Sequence, residues 1–239
     1  MAVEGFETAY KANEDPVTTA DLKADSILRE GLTKDFPGTG WLSEETRDDF
    51  SRLDKKQVWI VDPIDGTKEF VSGIPEYAVS VALVEDGLPI LAAVYNPAAK
   101  ELFAAAAGQG AWLNEEAINS KHELMEKLIL LASRSEIQRG EFKPFEHFAQ
   151  IRPCGSIAYK LALVAAGKAD ATFSLSPKNE WDIAAGVLIV SESGGNTNNL
   201  NGTPFIFNQR TTLVDGIVAA TRYALEPVRK LIEQVTSKE

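Results

Sequence analysis

The sequence predicts a protein of mixed α+β and α/β class, built from two subdomains. In its first half, short apolar segments follow one another with turn residues between them, which is typical of an antiparallel sheet. In its second half, segments with strand character alternate with helical ones. The polar connection at residues 115–127 has no apolar period. We therefore expect an N-terminal subdomain at 1–120, a C-terminal subdomain at 121–239, and a functional site where their loops meet.

The composition is that of an ordinary globular chain, with 239 residues of which 44% are hydrophobic and 25% charged. The apolar runs are too short to span a bilayer, and the N-terminus lacks the pattern of a signal peptide, so a cytoplasmic protein without a membrane partner is expected. The net charge of −11 disfavours a nucleic-acid polymer as partner. An anionic substrate would need a local reversal of this field, which carboxylates loaded with divalent cations can supply.

The single cysteine, Cys154, cannot form an internal disulfide. It lies too far along the chain from His122 and His147 to indicate a metal site of the Cys/His type. We expect it to be a small buried residue.

The first predicted helix has Thr18 or Thr19 as its N-cap and ends before Pro37-Gly38. Asp21 falls in its first turn, where the helix dipole favours a negative charge. The apolar positions of this helix are Leu22, Ile27, Leu28 and Leu32.

A short apolar strand at residues 41–43 follows this helix and leads directly to Glu44 and Glu45. The charged segment after them, residues 46–56, is expected to be a solvated loop. A pair of carboxylates thus lies at the end of a strand rather than on a solvated helix face.

Residues 58–70 are the most informative stretch. Their apolar start predicts a buried strand that stops at Asp62, because Pro63 cannot donate to a sheet ladder. Asp65-Gly66 supplies a turn, and Thr67 can cap the element that follows. Two carboxylates are thereby fixed on a rigid corner, which suits the binding of a hard cation against a phosphate. Taken alone, the same residues also fit an ordinary polar turn.

The remaining elements continue the pattern, with Glu85-Asp86-Gly87 as a hairpin turn and Gly155-Ser156 opening a small-residue helix. Strands are predicted at residues 77–84, 89–95, 102–107, 110–113, 128–131, 170–175 and 217–220. Helices are predicted at residues 144–150, 157–166, 181–190 and 225–235.

Acidic residues gather at the ends of these elements, namely Asp21, Glu44, Glu45, Asp62, Asp65 and Asp182. Oxygen ligands in such positions suit Mg²⁺. Two cations that share them could stabilise the attacking and leaving oxygens of an in-line displacement at phosphorus.

Several motifs resemble those of the inositol monophosphatase superfamily. Residues 59–70 resemble its metal motif Asp-Pro-x-Asp-Gly-Thr, and residues 181–186 its second signature, Trp-Asp-x-Ala-Ala-Gly. Residues 43–45 match the Glu-Glu of the family, while residues 17–21 and the glycine pair 194–195 fall in family order. Together these motifs extend over nearly the whole chain.

The resemblance implies a layered αβαβα sandwich and a lithium-sensitive, Mg²⁺-dependent hydrolysis of a phosphomonoester, with two or three ions. It also implies that Thr67 and Asp21 orient and help to deprotonate the attacking water, that Glu45 supports the metal shell, and that the amides of Gly66 and Thr67 hold phosphate oxygens. The implied metal ligands are Glu44, Asp62, Asp65, Asp182 and the carbonyl of Ile64.

Within the superfamily, three features are similar to the 3′(2′),5′-bisphosphate nucleotidase branch. These are Lys68-Glu69-Phe70 after the metal motif, Ser133-Arg134-Ser135, and a lysine at position 160. Lys160 could bind a second phosphate as a point charge, or it could be an exposed helix lysine. The favoured substrate is adenosine 3′,5′-bisphosphate. The substrate-binding residues would be Gly66, Thr67, Arg134, Gly155, Ser156 and Lys160, with Arg152 and Lys178 as further candidates.

Other interpretations remain open. The substrate could be inositol 1-phosphate or another sugar phosphate, and the chain could be a non-catalytic protein that binds a phosphate ligand. A haloacid-dehalogenase-type phosphatase is disfavoured, because the spacing of its two aspartates is one residue shorter. Family members carry a full helix before the region of Lys11, where only ten residues precede it here, so this helix is either short or clipped. Both a monomer and a homodimer fit the sequence.

Overall fold

The structure is a computed structural model that describes residues 5–10, 16–120 and 127–236. Lys11 and His122 lie outside the described residues. The helices are α1 (Thr19–Asp35), α2 (Thr67–Val71), α3 (Arg134–Gln138), α4 (Ile157–Ala165), α5 (Glu180–Glu192) and α6 (Leu225–Thr236). The strands are β1 (Thr8–Tyr10), β2 (Pro16–Thr18), β3 (Gly40–Ser43), β4 (Gln57–Asp65), β5 (Ala78–Glu85), β6 (Leu88–Asn96), β7 (Glu101–Ala106), β8 (Gly110–Leu113), β9 (Glu116–Ile118), β10 (Leu128–Ala132), β11 (Ala149–Pro153), β12 (Ala171–Ser174), β13 (Lys178–Asn179), β14 (Asn196–Asn198), β15 (Leu213–Val214) and β16 (Ile217–Ala220).

The first half forms a seven-stranded sheet in the order β3-β4-β5-β6-β7-β8-β9. Only β3 and β4 pair in parallel, and the other neighbours are antiparallel, as the sequence predicts. The predicted hairpin between β5 and β6 is confirmed. Its two central residues, Asp86 and Gly87, have φ values of 50° and 83°, because this turn needs the left-handed region at both positions.

The second half forms a five-stranded mixed sheet in the order β11-β10-β12-β16-β14. Strand β10 is parallel to both β11 and β12, whereas β16 is antiparallel to β12 and β14. Parallel neighbours require crossover connections, and helices α3 and α4 lie in these connections.

The structure is layered because helices cover both faces of the sheets, so that central strands are buried on both sides. In β4, Trp59 and Val61 pack with Leu28 and Leu32 of α1, while Val58 and Ile60 belong to the core cluster that contains α4 and α5. Such a strand reads as a continuous apolar run. Helix α6 packs on the far face of the five-stranded sheet through residues such as Val228 and Leu231. The predicted αβαβα sandwich is thus confirmed.

Helices α4 and α5 pack very closely in the central layer. A Cβ atom placed on Gly186 would lie 2.4 Å from Leu161 Cδ1, so only glycine allows this approach. The core cluster joins strand residues such as Val94 and Phe103 to both helices. The seven-stranded sheet lies within residues 40–118 and the five-stranded sheet within residues 128–220, and both contribute to this core cluster. The division into subdomains 1–120 and 121–239 stays a prediction.

The observed elements differ from the predicted ones in several places. The helix expected at residues 144–150 is instead a short 3₁₀ turn at Lys143–Phe145 followed by β11. Its residues alternate between buried and exposed from Ala149 to Arg152, which is the period of a strand. Helix α3 was not predicted, although Ser133 caps it. The polar connection at 115–127 contains β9, and residues 121–126 lie outside the described residues.

Helix α1 is confirmed with Thr18 as its N-cap, but its predicted apolar face is only half correct. Leu22 and Ile27 are 52% and 61% exposed. The side that faces the protein carries Asp21 and Asp25 instead, one helical turn apart. This helix brings carboxylates to the interior. Within the described ranges, no helix combines the length and the apolar character needed to cross a membrane.

The segment 46–56 is not simply solvated, because Arg52 within it is buried. The guanidinium of Arg52 pairs with Asp48 at 2.9 Å, donates to Asn208 Oδ1 at 2.6 Å and donates to the carbonyl of Gln209 at 2.9 Å. Removing one member of a buried polar network leaves its partners unpaired. Arg52 therefore ties this segment to the loop at 208–209.

Replacing Arg52 by methionine is expected to lower the free energy of unfolding by about 3 kcal/mol. Urea denaturation followed by circular dichroism measures this change. The matched control is Lys56→Met, since Lys56 is exposed and lies 3.4 Å from Glu85. This control is expected to change the free energy of unfolding by less than about 0.5 kcal/mol. Equal effects of the two substitutions would show that the Arg52 network does not stabilise the fold.

Candidate active site

A cavity of about 540 Å³ lies where the ends of β4, α3, α4 and α5 meet. Most of the residues that the sequence predicts for the site line it. They are Glu44, Asp62, Ile64, Asp65, Gly66, Thr67, Arg134, Gly155, Ser156, Lys160 and Asp182. These predicted residues are up to 138 positions apart in the chain.

An irregularity in the pairing of β4 with β5 determines the positions of the Asp62 and Asp65 carboxylates. Asp62 pairs with Ser80 and Asp65 with Ala78, so the register shifts between the two aspartates. Pro63 explains this shift, because it has no N–H for the ladder. The strand continues through Asp65 rather than stopping at Asp62, which corrects the predicted strand end. The amide of Ile64 donates to Asp62 Oδ1 at 3.0 Å and fixes that carboxylate locally.

Asp65 is held by the start of α4. Its Oδ2 atom accepts hydrogen bonds of 2.6 Å from both the hydroxyl of Ser156 and the amide of Ala158. Ser156 is the N-cap of α4 and has a positive φ of 56°, an uncommon conformation for a residue with a side chain. These bonds link the metal motif of the first half to the second half.

Asp182 and Glu44 reach the cavity from two other elements. Asp182 lies in the first turn of α5, and its Oδ2 accepts a 2.8 Å hydrogen bond from the amide of Asn179. Glu44 follows β3, and its amide donates to the carbonyl of Val61 at 3.3 Å. Glu45 does not appear in the cavity lining, and its amide donates to Ser43 Oγ at 3.3 Å.

Asp25 is a buried residue of the site region that sequence reasoning missed. Its carboxylate accepts hydrogen bonds from Ser43 Oγ at 2.5 Å and from Thr46 Oγ1 at 2.7 Å. It therefore fixes both sides of the Glu44-Glu45 segment to α1. The spacing of four residues between Asp21 and Asp25 was the available signal, since it puts both carboxylates on one helix face.

Burial and mutual repulsion disfavour the ionised form of these acids. Burial, followed by the charges of Glu44, Asp65 and Asp182, raises the pKa of Asp62 well above its usual value. Burial and the charge of Asp65 raise the pKa of Asp182 to about 8. Burial also raises the pKa of Asp65, although its bonds from Ser156 and Ala158 oppose this effect. A bound cation would relieve the repulsion in all three cases.

The donor set fits a hard divalent cation, because it consists of carboxylate oxygens and one backbone carbonyl. Among the residues that the structure describes, no three His, Cys, Asp or Glu side chains are already grouped closely enough to hold a metal ion. Asp62, Asp65 and Asp182 are each held through one carboxylate oxygen by protein donors. Their positions on the wall are thus fixed by the fold itself.

Thr67 contacts two of the predicted partners at once. Its hydroxyl lies 3.3 Å from Asp21 Oδ1 and 3.1 Å from the carbonyl oxygen of Ile64, and it can donate its one proton to either. Asp21 is buried, and its Oδ2 accepts from the amide of Thr18 at 2.8 Å and from the hydroxyl of Thr18 at 2.5 Å. The predicted link between Asp21 and Thr67 is therefore present in the structure.

Gly66 has to be glycine for two reasons. Its φ is 93°, in the left-handed region, and it is the N-cap of α2. A Cβ at this position would also lie 3.1 Å from the carbonyl oxygen of Glu76. The chain thus turns sharply, and the amides at the start of α2 lie at the cavity.

The outer wall contains Arg134, which the sequence placed among the substrate residues. Arg134 Nη1 forms an ion pair and hydrogen bond with Glu76 Oε2 and lies 3.7 Å from Glu69 Oε1. Glu76 Oε2 also accepts from the amide of Gly155 at 2.8 Å. Both Arg134 and the Gly155 amide therefore have internal partners, and Glu76 was not predicted for the site.

Lys160 is buried, so the alternative of an exposed helix lysine is wrong. Its side chain is 2% exposed, yet it lines the cavity. Its Nζ lies 3.7 Å from Glu136 Oε2, and the Glu136 side chain is 4% exposed. The sequence thus predicted a cation at the cavity correctly but did not predict the carboxylate beside it.

Comparison with known proteins agrees with this arrangement. The sequence profile of the inositol monophosphatase family matches residues 2–237. The chain belongs to the inositol monophosphatase family. It is therefore a phosphatase, a phosphoric monoester hydrolase, in a family whose members are generally metal-dependent.

Relatives and solved structures of this family extend over most of the chain. An inositol-1-monophosphatase of Caulobacter vibrioides is 39% identical over 204 residues, which are 81% of this chain and 79% of the relative. The crystal structure of the suppressor protein SuhB from Bartonella henselae is 31% identical, covers 97% of this chain and 90% of its own, and superposes with a TM-score of 0.83. The inositol monophosphatase of Thermotoga maritima is 29% identical, covers 97% and 89%, and has a TM-score of 0.85. These comparisons do not confirm the bisphosphate nucleotidase branch.

Cys154 lies directly before Gly155 but takes no part in the site, and its predicted burial is confirmed. Burial, together with the charge of Glu76, raises the pKa of its thiol to about 12. Because the thiolate is the reactive form, we expect the native protein to react with a disulfide reagent at pH 8 at least about 100-fold more slowly than the urea-unfolded protein. Absorbance of the released thiol measures both rates. Similar rates would show that Cys154 is accessible.

Proposed function

We propose that this phosphatase hydrolyses a small phosphomonoester with Mg²⁺ and a water that Thr67 and Asp21 orient. The observation that carries the proposal is the Thr67 hydroxyl, which contacts both the Asp21 carboxylate and the Ile64 carbonyl beside the buried acids. A protein that only binds a phosphate ligand has no need for this coupled pair. The reaction needs no covalent intermediate on the protein.

The metal ligands that we propose are four carboxylates, from β4, α5 and the residue after β3, and one carbonyl. They are Glu44, Asp62, Asp65, Asp182 and the carbonyl oxygen of Ile64, all of which line the cavity. When bound, two or three Mg²⁺ ions would neutralise the phosphate charge and lower the pKa of a bound water. Lithium sensitivity belongs to the same proposal.

The proton path follows from the hydrogen bonds of Thr67. Its hydroxyl has one proton, and a cation held by the Ile64 carbonyl would leave the Asp21 carboxylate as the acceptor of that proton. The hydroxyl oxygen then accepts a proton from water, so that Asp21 acts as the base through Thr67. The two hydrogen bonds from Thr18 hold the Asp21 carboxylate in place for this step. We propose that Glu45 supports the metal shell from behind Glu44.

The phosphate group is expected to lie at the start of α2. The amides of Gly66 and Thr67 would hold its oxygens, because N–H groups at a helix start have no partner within the helix. The leaving group would then extend toward the outer wall, which contains Arg134, Ser156 and Lys160.

For the leaving group we propose a polyol, as in inositol 1-phosphate or another sugar phosphate. The name of the Caulobacter relative supports this choice. The second candidate is adenosine 3′,5′-bisphosphate, and the observation that favours it is the presence of Lys160 and Arg134 in the outer wall. Both substrates are compatible with the same attack on phosphorus.

Replacing Thr67 by valine keeps its shape but removes the hydroxyl, and we expect kcat to fall by about 10²- to 10⁴-fold. Thr67→Ser keeps the hydroxyl and is expected to retain most of the activity. Release of phosphate from inositol 1-phosphate and from a nitrophenyl ester, with Mg²⁺ and after chelation, measures these changes. Wild-type protein without metal-dependent turnover would support the non-catalytic alternative.

The substrate choice predicts that kcat/KM is higher for inositol 1-phosphate than for adenosine 3′,5′-bisphosphate by at least about tenfold, as one charge-assisted contact is worth. Parallel phosphate-release assays at equal Mg²⁺ give both values. A higher value for the bisphosphate would assign the chain to the nucleotidase branch instead.

A further inference from the structure

We propose that Glu136 sets the substrate class of the cavity, since its pairing with Lys160 makes the outer wall accept neutral hydroxyl groups and disfavour a second phosphate. The proposal rests on the proposed function and assigns a specificity-determining role to a residue that touches the leaving group rather than the phosphate under attack. Glu136 lies in α3, and its partner Lys160 lies in α4.

Lys160 can contact the leaving group, but a carboxylate lies beside its ammonium group. Its side chain is almost fully buried, and it still lines the cavity. Its Nζ lies 3.7 Å from Glu136 Oε2, so the ammonium group already has a carboxylate neighbour. A carboxylate at this distance offsets part of the hydration that a buried ammonium loses.

Glu136 is held in one position by several donors. Its Oε2 accepts from the amide and the hydroxyl of Ser133 at 2.9 and 2.6 Å, and its Oε1 accepts from the hydroxyl of Ser174 at 2.7 Å. Burial raises the pKa of Glu136, but the charge of Lys160 and the bonds from Ser133 and Ser174 outweigh burial and lower it to about 2. The carboxylate is therefore ionised throughout the neutral range and cannot swing away without losing these bonds.

A second phosphate near the Lys160 ammonium would also lie close to the Glu136 carboxylate, at almost the same distance. The attraction to the ammonium and the repulsion from the carboxylate then largely cancel, and the phosphate still loses its hydration. Arg134 does not restore the balance, because Glu76 and Glu69 surround it. Arg134 and Lys160 thus both have acidic partners.

A hydroxyl group suits the same wall. It can donate to the Glu136 carboxylate and accept from the Lys160 ammonium, and no additional charge is desolvated. The hydroxyls of Ser133 and Ser135 also line this part of the cavity and can join such contacts. A leaving group with several hydroxyls and no second anion is the chemistry that fits.

The test compares the affinities for adenosine 3′,5′-bisphosphate and adenosine 3′-monophosphate, which differ only by the second phosphate. Calorimetry on the full chain with Ca²⁺ gives both values, and chromatography verifies that the ligands stay intact. For the wild type we expect affinities within about threefold of each other. For Glu136→Gln, which keeps the shape but leaves Lys160 uncompensated, we expect the bisphosphate to bind at least about tenfold more tightly than the monophosphate.

Ser174→Ala is the matched control, because it removes one hydrogen bond of Glu136 but keeps its charge. We expect the ratio of its affinities for the bisphosphate and the monophosphate to stay at the wild-type value. Lys160→Met removes the cation instead and is expected not to increase the ratio. A wild-type protein that binds the bisphosphate at least about tenfold more tightly, or a folded Glu136→Gln variant with an unchanged ratio, would overturn the proposal.

The failure of this inference can be told apart from that of the proposed function. Turnover of inositol 1-phosphate by the wild type with Mg²⁺ tests the function, whereas the affinity ratio needs no turnover. An active wild type with an unchanged ratio in Glu136→Gln overturns the role of Glu136 alone. An inactive wild type would overturn the catalytic function. If Glu136→Gln then still changes the affinity ratio as expected, the compensation of Lys160 by Glu136 is supported.

Discussion

The concentration of carboxylates in one partly buried cavity is the constraint on which the rest of the structure depends. Burial raises the pKa values of Asp62, Asp65 and Asp182, and the charges of neighbouring acids raise them further. Such a group of acids is unfavourable for folding unless cations or hydrogen bonds stabilise the charged forms. The protein supplies the hydrogen bonds from different elements, and the chemistry of the donors selects the cation. If these side chains bind the metal as we propose, they set both the stability of the fold and the metal affinity.

The positions of these acids depend on contacts between the two halves of the chain. Asp65 ends a strand of the first sheet, but Ser156 and Ala158 of α4 hold its carboxylate. The close packing of α4 on α5 at Gly186 in turn places Asp182, which lies in the first turn of α5. A shift between the halves would therefore directly change the spacing of the carboxylates that we propose as metal ligands. The shared core explains how a site made from distant segments stays in register.

The motifs of the site could be predicted from the sequence, but the residues that contact them could not. Local patterns located most strands, the helix ends and the carboxylates at element ends, because each depends on neighbouring residues. Asp25 and Arg52 were missed since their contacts join segments that are 18 and 156 positions apart. Helix α1 shows the physical reason. Its apolar period favours Leu22 and Ile27 as buried residues, but both are exposed. The inner face carries Asp21 and Asp25 instead, because each accepts hydrogen bonds from residues outside the helix.

The same limit applies to substrate choice. Lys160 and Arg134 were predicted from sequence because a cation is visible in a motif. Their carboxylate partners are not, since Glu136 and Glu76 lie 24 and 58 positions away and belong to other elements. Binding of an anion depends on the net field at the wall rather than on the presence of a cation. A lysine shared between related phosphatases can therefore serve different substrates, according to whether a neighbouring acid neutralises it.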